Sequence, residues 1–440
     1  MSRQQSLRAD NQPVKSSVNK DEPTLKSLPH INPVVAWAFY SFIFSLPFEM
    51  GRGRLLPFEI PTLLGSLFLL AALLQPRICF RRPPRTFWCF ALYLVVFIIS
   101  LISHDLDYPE IALTRLIWLV QLIFLLWISS NLMRYHRVAK ASLVALVASC
   151  AILAILQLSG VFSRLPDLYP DSRASVMGQN PSNLAGILSM GVLALIGLLY
   201  ARKGSALRFR FLAWPLFLLI GNLVVSTGSR GPLLALGLGL LVFALGRGGI
   251  WVRCRNALIT ILGIGFLVWF SFQLEGTRHR FQEAVEVGNL AGREEIFPTA
   301  WQMFLEKPLF GWGPVSKNFE IERRVLHPNF QQRDPHNLVL EVLTGTGILG
   351  AIPFIAGIWL SMRTAWKARG GSVGILPFSM SVAALMINMS LNWMYSKTYW
   401  LVLAFALASS SSLVRSRYRS AVTAIAWRAR VLKPQHARAV

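Results

Sequence analysis

The sequence predicts an all-α polytopic membrane protein of about 12 transmembrane helices, with a helical loop region on the far side of the membrane. Three observations predict it. The chain of 440 residues is 54% hydrophobic and only 15% charged, with a mean hydropathy of +0.50, where a soluble protein would carry about a quarter charged residues. Its apolar residues gather in runs that can cross a bilayer, which takes about 20 residues of helix. Its basic residues concentrate in alternate loops. In lipid the backbone has no water to bond, so these runs must satisfy themselves as helices.

In order, the runs are 33–49, 58–75, 86–103, 111–133, 141–162, 183–201, 211–228, 232–246, 258–274, 337–362, 375–391 and 398–414. The first follows a polar stretch and has no small-residue cleavage site after it, so it reads as a retained helix rather than a signal peptide. The organisation is therefore a polar tail 1–32, helices one to nine over 33–274, a large loop 275–336, helices ten to twelve over 337–414, and a basic tail 415–440.

The net charge of +24 follows from topology. With the amino terminus in the cytoplasm, 29 of the 44 Lys/Arg fall on inside segments, 14 fall outside, and Arg115 lies within the fourth helix. Every short inside loop is basic, as the positive-inside rule requires. Both termini are then cytoplasmic, and the basic partner surface is anionic lipid rather than nucleic acid. Cys79 and Cys254 face the cytoplasm and Cys89 and Cys150 sit within helices, so no disulfide is expected outside.

Within the large loop, Ile296, Phe297, Ala300, Trp301, Phe304 and Leu305 recur on one helical face. That predicts an interfacial helix, bent or shortened by Pro298 and ended by the turn residues Pro308, Gly311, Gly313 and Pro314.

No GxxxxGK[ST] loop and no HExxH helix is present, so neither nucleotide hydrolysis nor a zinc-protease site is indicated. Asp105-Leu106-Asp107 has a metal-binding spacing but reads better as a short solvated acidic loop. Arg230, in the tight Ser229-Arg230-Gly231-Pro232 turn, lies near hydrocarbon. It either snorkels to headgroups or offers a guanidinium fork to a phosphate. Arg293 opens the interfacial helix, where amides and dipole favour an anion, or it is an ordinary exposed charge. Arg173 precedes Gly178-Gln179-Asn180-Pro181 and by position alone reads as exposed.

His336, in Asp334-Pro335-His336-Asn337, is the one outside histidine that abuts a helix start. It could transfer protons near neutral pH or simply anchor the loop. Glu341, five residues on, lies about 140° away around a regular helix, so the two are not paired.

These residues resemble a known family. His336-Asn337, nine residues, Gly347, two residues and Gly350 match the His-Asn-x9-Gly-x-x-Gly signature of bacterial O-antigen ligases. Arg230 and Leu234 resemble their Arg-x3-Leu element. Gly292-Arg293, Trp301 and Gly311-Trp312-Gly313 are similar to the long outer loop of the wider ligase and O-antigen polymerase superfamily. Asn180-Pro181-Ser182-Asn183-Leu184-Ala185 is close to an Asn-Pro-Asn-x-Leu-Ala run, departing from it at Ser182.

The resemblance implies a multi-helix lipid-linked glycosyltransferase acting at the periplasmic face of the bacterial inner membrane. It would move a glycan from undecaprenyl pyrophosphate to a sugar hydroxyl of the lipid A core, with inversion and with neither metal nor other cofactor. His336 would be the general base, and Arg230, Arg293, Arg173 and Asn337 the substrate-binding residues. An O-antigen polymerase or protein O-oligosaccharyltransferase is the sibling reading. A polyprenyl-glycan transporter is the reading from another class, disfavoured because the charged candidates gather at one face.

Overall fold

The computed structural model describes residues 31–49, 59–161, 174–201, 206–246, 248–273, 292–325, 334–371 and 373–410. Its elements are α1 Pro33–Ser45, α2 Ile60–Ala72, a short α3 Pro76–Cys79, α4 Arg85–His104, α5 Pro109–Leu132, α6 His136–Leu158, α7 Pro181–Ala201, α8 Ala206–Ser226, α9 Arg230–Leu245, α10 Ile250–Ser271, α11 Arg293–Glu306, α12 Ser316–Val325, α13 Leu338–Lys367, α14 Leu376–Asn388 and a last helix α15 over 397–410. No strand occurs among the described residues.

Each of the twelve apolar runs coincides with a helix. By length and composition α4, α5, α6, α7, α10 and α13 can cross a membrane, and five others, including α1, α2 and α14, are shorter apolar helices. The starts are written in the sequence. Proline occupies one of the first two positions of α1, α2, α5 and α14, where its missing N–H costs nothing. Asn32 adds a side-chain cap to α1, accepting from the Val34 amide at 2.9 Å.

α7 is central, packing against α6, α8 and α9. Its glycines allow the close approach that membrane bundles use: Gly186 lies against Trp393, Gly191 against Cys150 and Gly197 against Leu376, with no room for a Cβ. α10 is the opposite case. Its apolar window has 0% of its residues buried, and Trp251 and Trp269 stand exposed at its two ends, as in an interfacial aromatic belt.

Loop contacts sort into two sets, one at each end of the bundle. At one end the Asn32 amide donates to Gln75 Oε1 (2.9 Å), Asn131 Nδ2 to the Cys79 carbonyl (2.9 Å) and Trp127 Nε1 to the Arg81 carbonyl (2.8 Å). At the other end the segments around 49, 105, 183, 293, 315, 336 and 393 meet.

α13 is broken where the signature glycines stand. Gly347 has φ 61° and ψ −164°, a region closed to side chains, and its Cα faces the Leu309 carbonyl with no space for a Cβ. The turn 308–312 feeds into the break. The Ile348 amide donates to the Pro308 carbonyl (2.8 Å), and the Trp312 amide to the Thr344 carbonyl (2.7 Å). Ser100 Oγ on α4 ties both sides, donating to the Phe310 and Gly345 carbonyls at 3.0 and 2.9 Å.

α11 and α12 cap this end around Ile296, Ala300, Met303 and Ile321. The apolar face expected on α11 is split. Ile296, Ala300 and Phe304 cover protein, while Trp301 and Leu305 remain exposed beside Leu309 and Phe310. Pro298 does not end the helix, which runs to Glu306. The acidic loop needs a correction. Asp105 is fully buried, and its two oxygens accept from the Val315 amide (2.9 Å) and the Ser316 amide (2.8 Å). It anchors the start of α12 as a cap would, while Asp107 is exposed.

Candidate active site

His336 owes its place to the start of α13. Asn337 is the N-cap, its Oδ1 accepting from the Val339 amide (3.0 Å) and the Leu340 amide (3.2 Å). The oxygen of Asn337 is thus occupied by the helix. His336, one residue earlier, takes φ 52°, a left-handed conformation costing on the order of 1–3 kcal/mol for a non-glycine residue. His336 lines a cavity of about 290 Å³.

Four further elements furnish the walls, one of them α5 through Trp118, Gln121 and Leu122. Glu49 and Glu59 come from the α1–α2 connection, Asn180 and Asn183 from the start of α7, and Asn392, Trp393, Tyr395 and Lys397 from the segment joining α14 to α15. The Asn-Pro-Ser-Asn turn fixes one corner. Asn180 Oδ1 accepts from the Ser182 amide (2.9 Å), so Asn180 starts α7. Asn183 receives Trp393 Nε1 on its oxygen (2.6 Å) and donates to Glu49 Oε2 (3.0 Å). Glu59 Oε2 takes the Thr62 hydroxyl at 2.8 Å and lies 3.6 Å from Lys397 Nζ. Carboxylates and carboxamides on rigid helix ends can bind the hydroxyls of a sugar.

Arg293 and the start of α9 reach the same place through Ser390, just before the cavity-lining segment. Arg293 Nη2 donates to the Ser390 carbonyl at 2.8 Å. Arg230 is the first residue of α9, and Gly231 packs so closely on the Ser390 hydroxyl that a Cβ would not fit. Ser229 joins them to the α7 turn, its hydroxyl donating to the Ser182 hydroxyl at 3.2 Å. Both arginines are half-buried at helix starts, where free amides and dipole add to their positive potential. Arg173 lies outside the described residues.

Beside His336 is a charge cluster whose Lys317–Glu341 pair is buried and whose Asp334, 34% exposed, also lines the cavity. Asp334 accepts from Asn318 Nδ2 at 2.9 Å, and Arg115 Nη2 lies 3.8 Å from it. Lys317 Nζ, itself 1% exposed, pairs with Glu341 at 2.8 Å and donates to Asn318 Oδ1 at 2.7 Å. Arg115 also lies 3.9 Å from Glu341 and sits over the Tyr395 ring, 5.2 Å from its centroid. Burial works against the charge on Asp334. The Lys317 and Arg115 cations and the Asn318 hydrogen bond outweigh it and hold the carboxyl below its ordinary value. Burial pushes the Tyr395 phenol up, only partly offset by Arg115, which keeps it a hydroxyl.

The structure therefore brings His336, Asn337, Arg230 and Arg293 to one end of the bundle and the first to a cavity. Glu341 pairs with Lys317. Sequence reasoning missed Glu49, Glu59, Lys317 and Lys397. The signal available was that all the acids except Asp10, Asp21 and Glu22 fall in or beside the loops that the sequence reading places outside.

Residues 214–355 match the family model described as O-antigen ligase, a stretch that contains Arg230, Arg293 and His336. Over that stretch the chain is similar to the O-antigen ligase family. A curated O-antigen ligase of Pseudomonas aeruginosa is 29% identical over 154 residues, which is 34% of this chain and 34% of that protein. The match thus spans about a third of the relative's length. The matched stretch runs from within α8 to the middle of α13, so it contains both arginines and the histidine. The carboxylate wall and the α7 turn come from earlier in the chain.

Proposed function

We propose that the chain is an O-antigen ligase. It takes a glycan from undecaprenyl pyrophosphate and attaches it to a sugar hydroxyl of the lipid A core at the periplasmic face of the inner membrane. The observation that carries this reading is the convergence on Ser390: Arg293 and, through Gly231, the helix start that bears Arg230 meet the residue just before the segment that lines the cavity holding His336. The family match supports it, since one matched stretch contains all three residues.

In this reading the acceptor hydroxyl gives its proton to His336 as its oxygen bonds to the anomeric carbon of the donor. The bond from that carbon to the pyrophosphate oxygen breaks on the opposite side, and its electron pair leaves with the pyrophosphate. The configuration is inverted. Charge builds on the leaving group, where Arg230 and Arg293 stabilise it, with Arg173 as a further contributor. The base is worth about 10²–10⁴ in rate. The carboxylate wall holds sugar hydroxyls, and Asn337 contributes its amide N–H₂ while its oxygen caps α13. The division into a cytoplasmic tail, helices 33–274, an outer loop 275–336 and helices 337–414, with both termini cytoplasmic, belongs to the same proposal.

The test is a deletion strain complemented with the wild-type gene or left empty, with its lipopolysaccharide and lipid-linked glycans separated by size. A ligase leaves long glycans on undecaprenyl pyrophosphate and bare core in the empty strain. Single repeat units attached to normal core would show a polymerase instead and overturn the reading.

A further inference from the structure

We infer that Asp334 is a positioning residue for His336, held by the Lys317–Asn318 pair and Arg115 so that a fixed negative charge stands beside the imidazole. This rests on the reading of His336 as the base.

Asp334 lies two residues before His336, and Pro335 between them has a fixed φ, so the two side chains are coupled through a short rigid link. Asp334 is clamped from two elements, by Asn318 on α12 at 2.9 Å and by Arg115 on α5 at 3.8 Å. Asn318 is clamped in turn. Its oxygen takes Lys317 Nζ at 2.7 Å, and that same ammonium is held by Glu341 at 2.8 Å. The chain of contacts runs Glu341, Lys317, Asn318, Asp334 and ends beside His336.

Stability alone does not explain such a cluster. Lys317 and Glu341 have side chains only 1% and 2% exposed, and Glu341 Oε2 has no hydrogen-bond partner among the described residues. Buried ion pairs of this kind do no better for stability than apolar residues of similar volume. What they provide is a carboxylate fixed in place. A neutral-form base gains from a nearby anion, which stabilises the imidazolium formed as the acceptor proton arrives.

Other charged groups also face His336. Glu49 and Glu59 come from the α1–α2 connection, and Lys397 and Tyr395 from the α14–α15 segment. Arg115 comes from α5, and Arg293 lies beyond Ser390. Asp334 differs from the other carboxylates in sharing a rigid loop with the histidine.

The experiment is the pH profile of kcat/KM for purified full-length protein in lipid vesicles, with a polyprenyl-pyrophosphate glycan as donor and lipid A core as acceptor. Removing the anion makes the imidazolium easier to deprotonate. Asp334→Asn should therefore move the acidic limb to lower pH by about one unit and lower kcat more than it raises KM. Arg115→Gln removes a cation and should move the limb the other way. Asn318→Ala frees Asp334 without changing any charge, and should cut kcat while moving the limb less than Asp334→Asn does. It also serves where Asp334→Asn does not fold. Limbs that stay in place in both charge variants, or that move together, would overturn the inference. Full activity in His336→Ala would instead overturn the base reading on which it rests, so the two failures are distinct.

Discussion

Two charge clusters of similar make-up lie near each other at the same end of the bundle, and they do different work. One joins Arg115, Lys317, Asp334 and Glu341 beside His336. The other joins Glu306, Glu320, Arg323 and Arg324 across α11 and α12. The second has the better geometry on paper. Arg324 makes two 2.7 Å bonds to the Glu306 carboxylate and one of 2.6 Å to Glu320. Yet Arg323 is 75% exposed and Glu306 37%, so water screens them. The first cluster has longer contacts, but its Lys317–Glu341 pair is out of water altogether. Short distance is therefore a poor guide to importance, and burial beside a reactive group is a better one.

The largest expected effect breaks the buried pair. Lys317→Met leaves the buried Glu341 with only Arg115, 3.9 Å away, and the loss of stability should be about 3 kcal/mol, seen as a lower unfolding midpoint in detergent. The double change Lys317→Met with Glu341→Leu removes both charges and should recover most of that loss. No recovery would mean that Lys317 acts through packing alone.

Acid pH sharpens the comparison. Asp334, Glu306 and Glu320 all have carboxyls held below their ordinary values, Glu306 chiefly by the Arg324 hydrogen bond. A depressed folded value means that stability is present above the ordinary carboxyl range and lost as pH falls through it. The unfolding midpoint should drop between about pH 5 and pH 3. Asp334→Asn should flatten that drop more than Glu320→Gln. The reverse order would place the greater coupling in the exposed cluster.

Smaller still is the cap. Asn337→Ala should cost about 1 kcal/mol by freeing two amides of α13. Asn337→Ser should restore the stability, and a turnover deficit that persists in it would show that the amide N–H₂ also binds substrate. The smallest effect belongs to Arg324→Ala, which should leave both the unfolding midpoint and transfer close to wild type. A marked loss there would contradict the reading of the exposed cluster as solvated.

Much of this architecture was legible in the sequence, because lipid imposes a single strong rule. Apolar runs must be helices, and all twelve runs fall on helices. Arg293 at the start of α11 and the turn 308–314 after it were equally legible from glycine and proline. The signature around His336 could be seen but not understood. Its glycines are structural, since Gly347 breaks α13 to admit the turn 308–312, and only the histidine enters the cavity. What could not be read were pairings across long stretches of chain. Asp105 looked like a solvated acid because its partners, the amides of Val315 and Ser316, lie some 210 residues away. Lys317 sits in a short, polar helix and gives no local sign of burial. Glu49 and Glu59 went unremarked because their partners, Asn183 and Lys397, lie far along the chain.

The central claim is that His336 takes the proton from the acceptor in glycan transfer. The most direct measurement is transfer by purified protein in vesicles containing polyprenyl-pyrophosphate glycan and lipid A core, comparing wild type with His336→Ala. The account predicts glycosylated core from wild type and a loss of about 10²–10⁴ in rate from the variant, with donor binding retained. Transfer at the wild-type rate by a folded His336→Ala protein would contradict it.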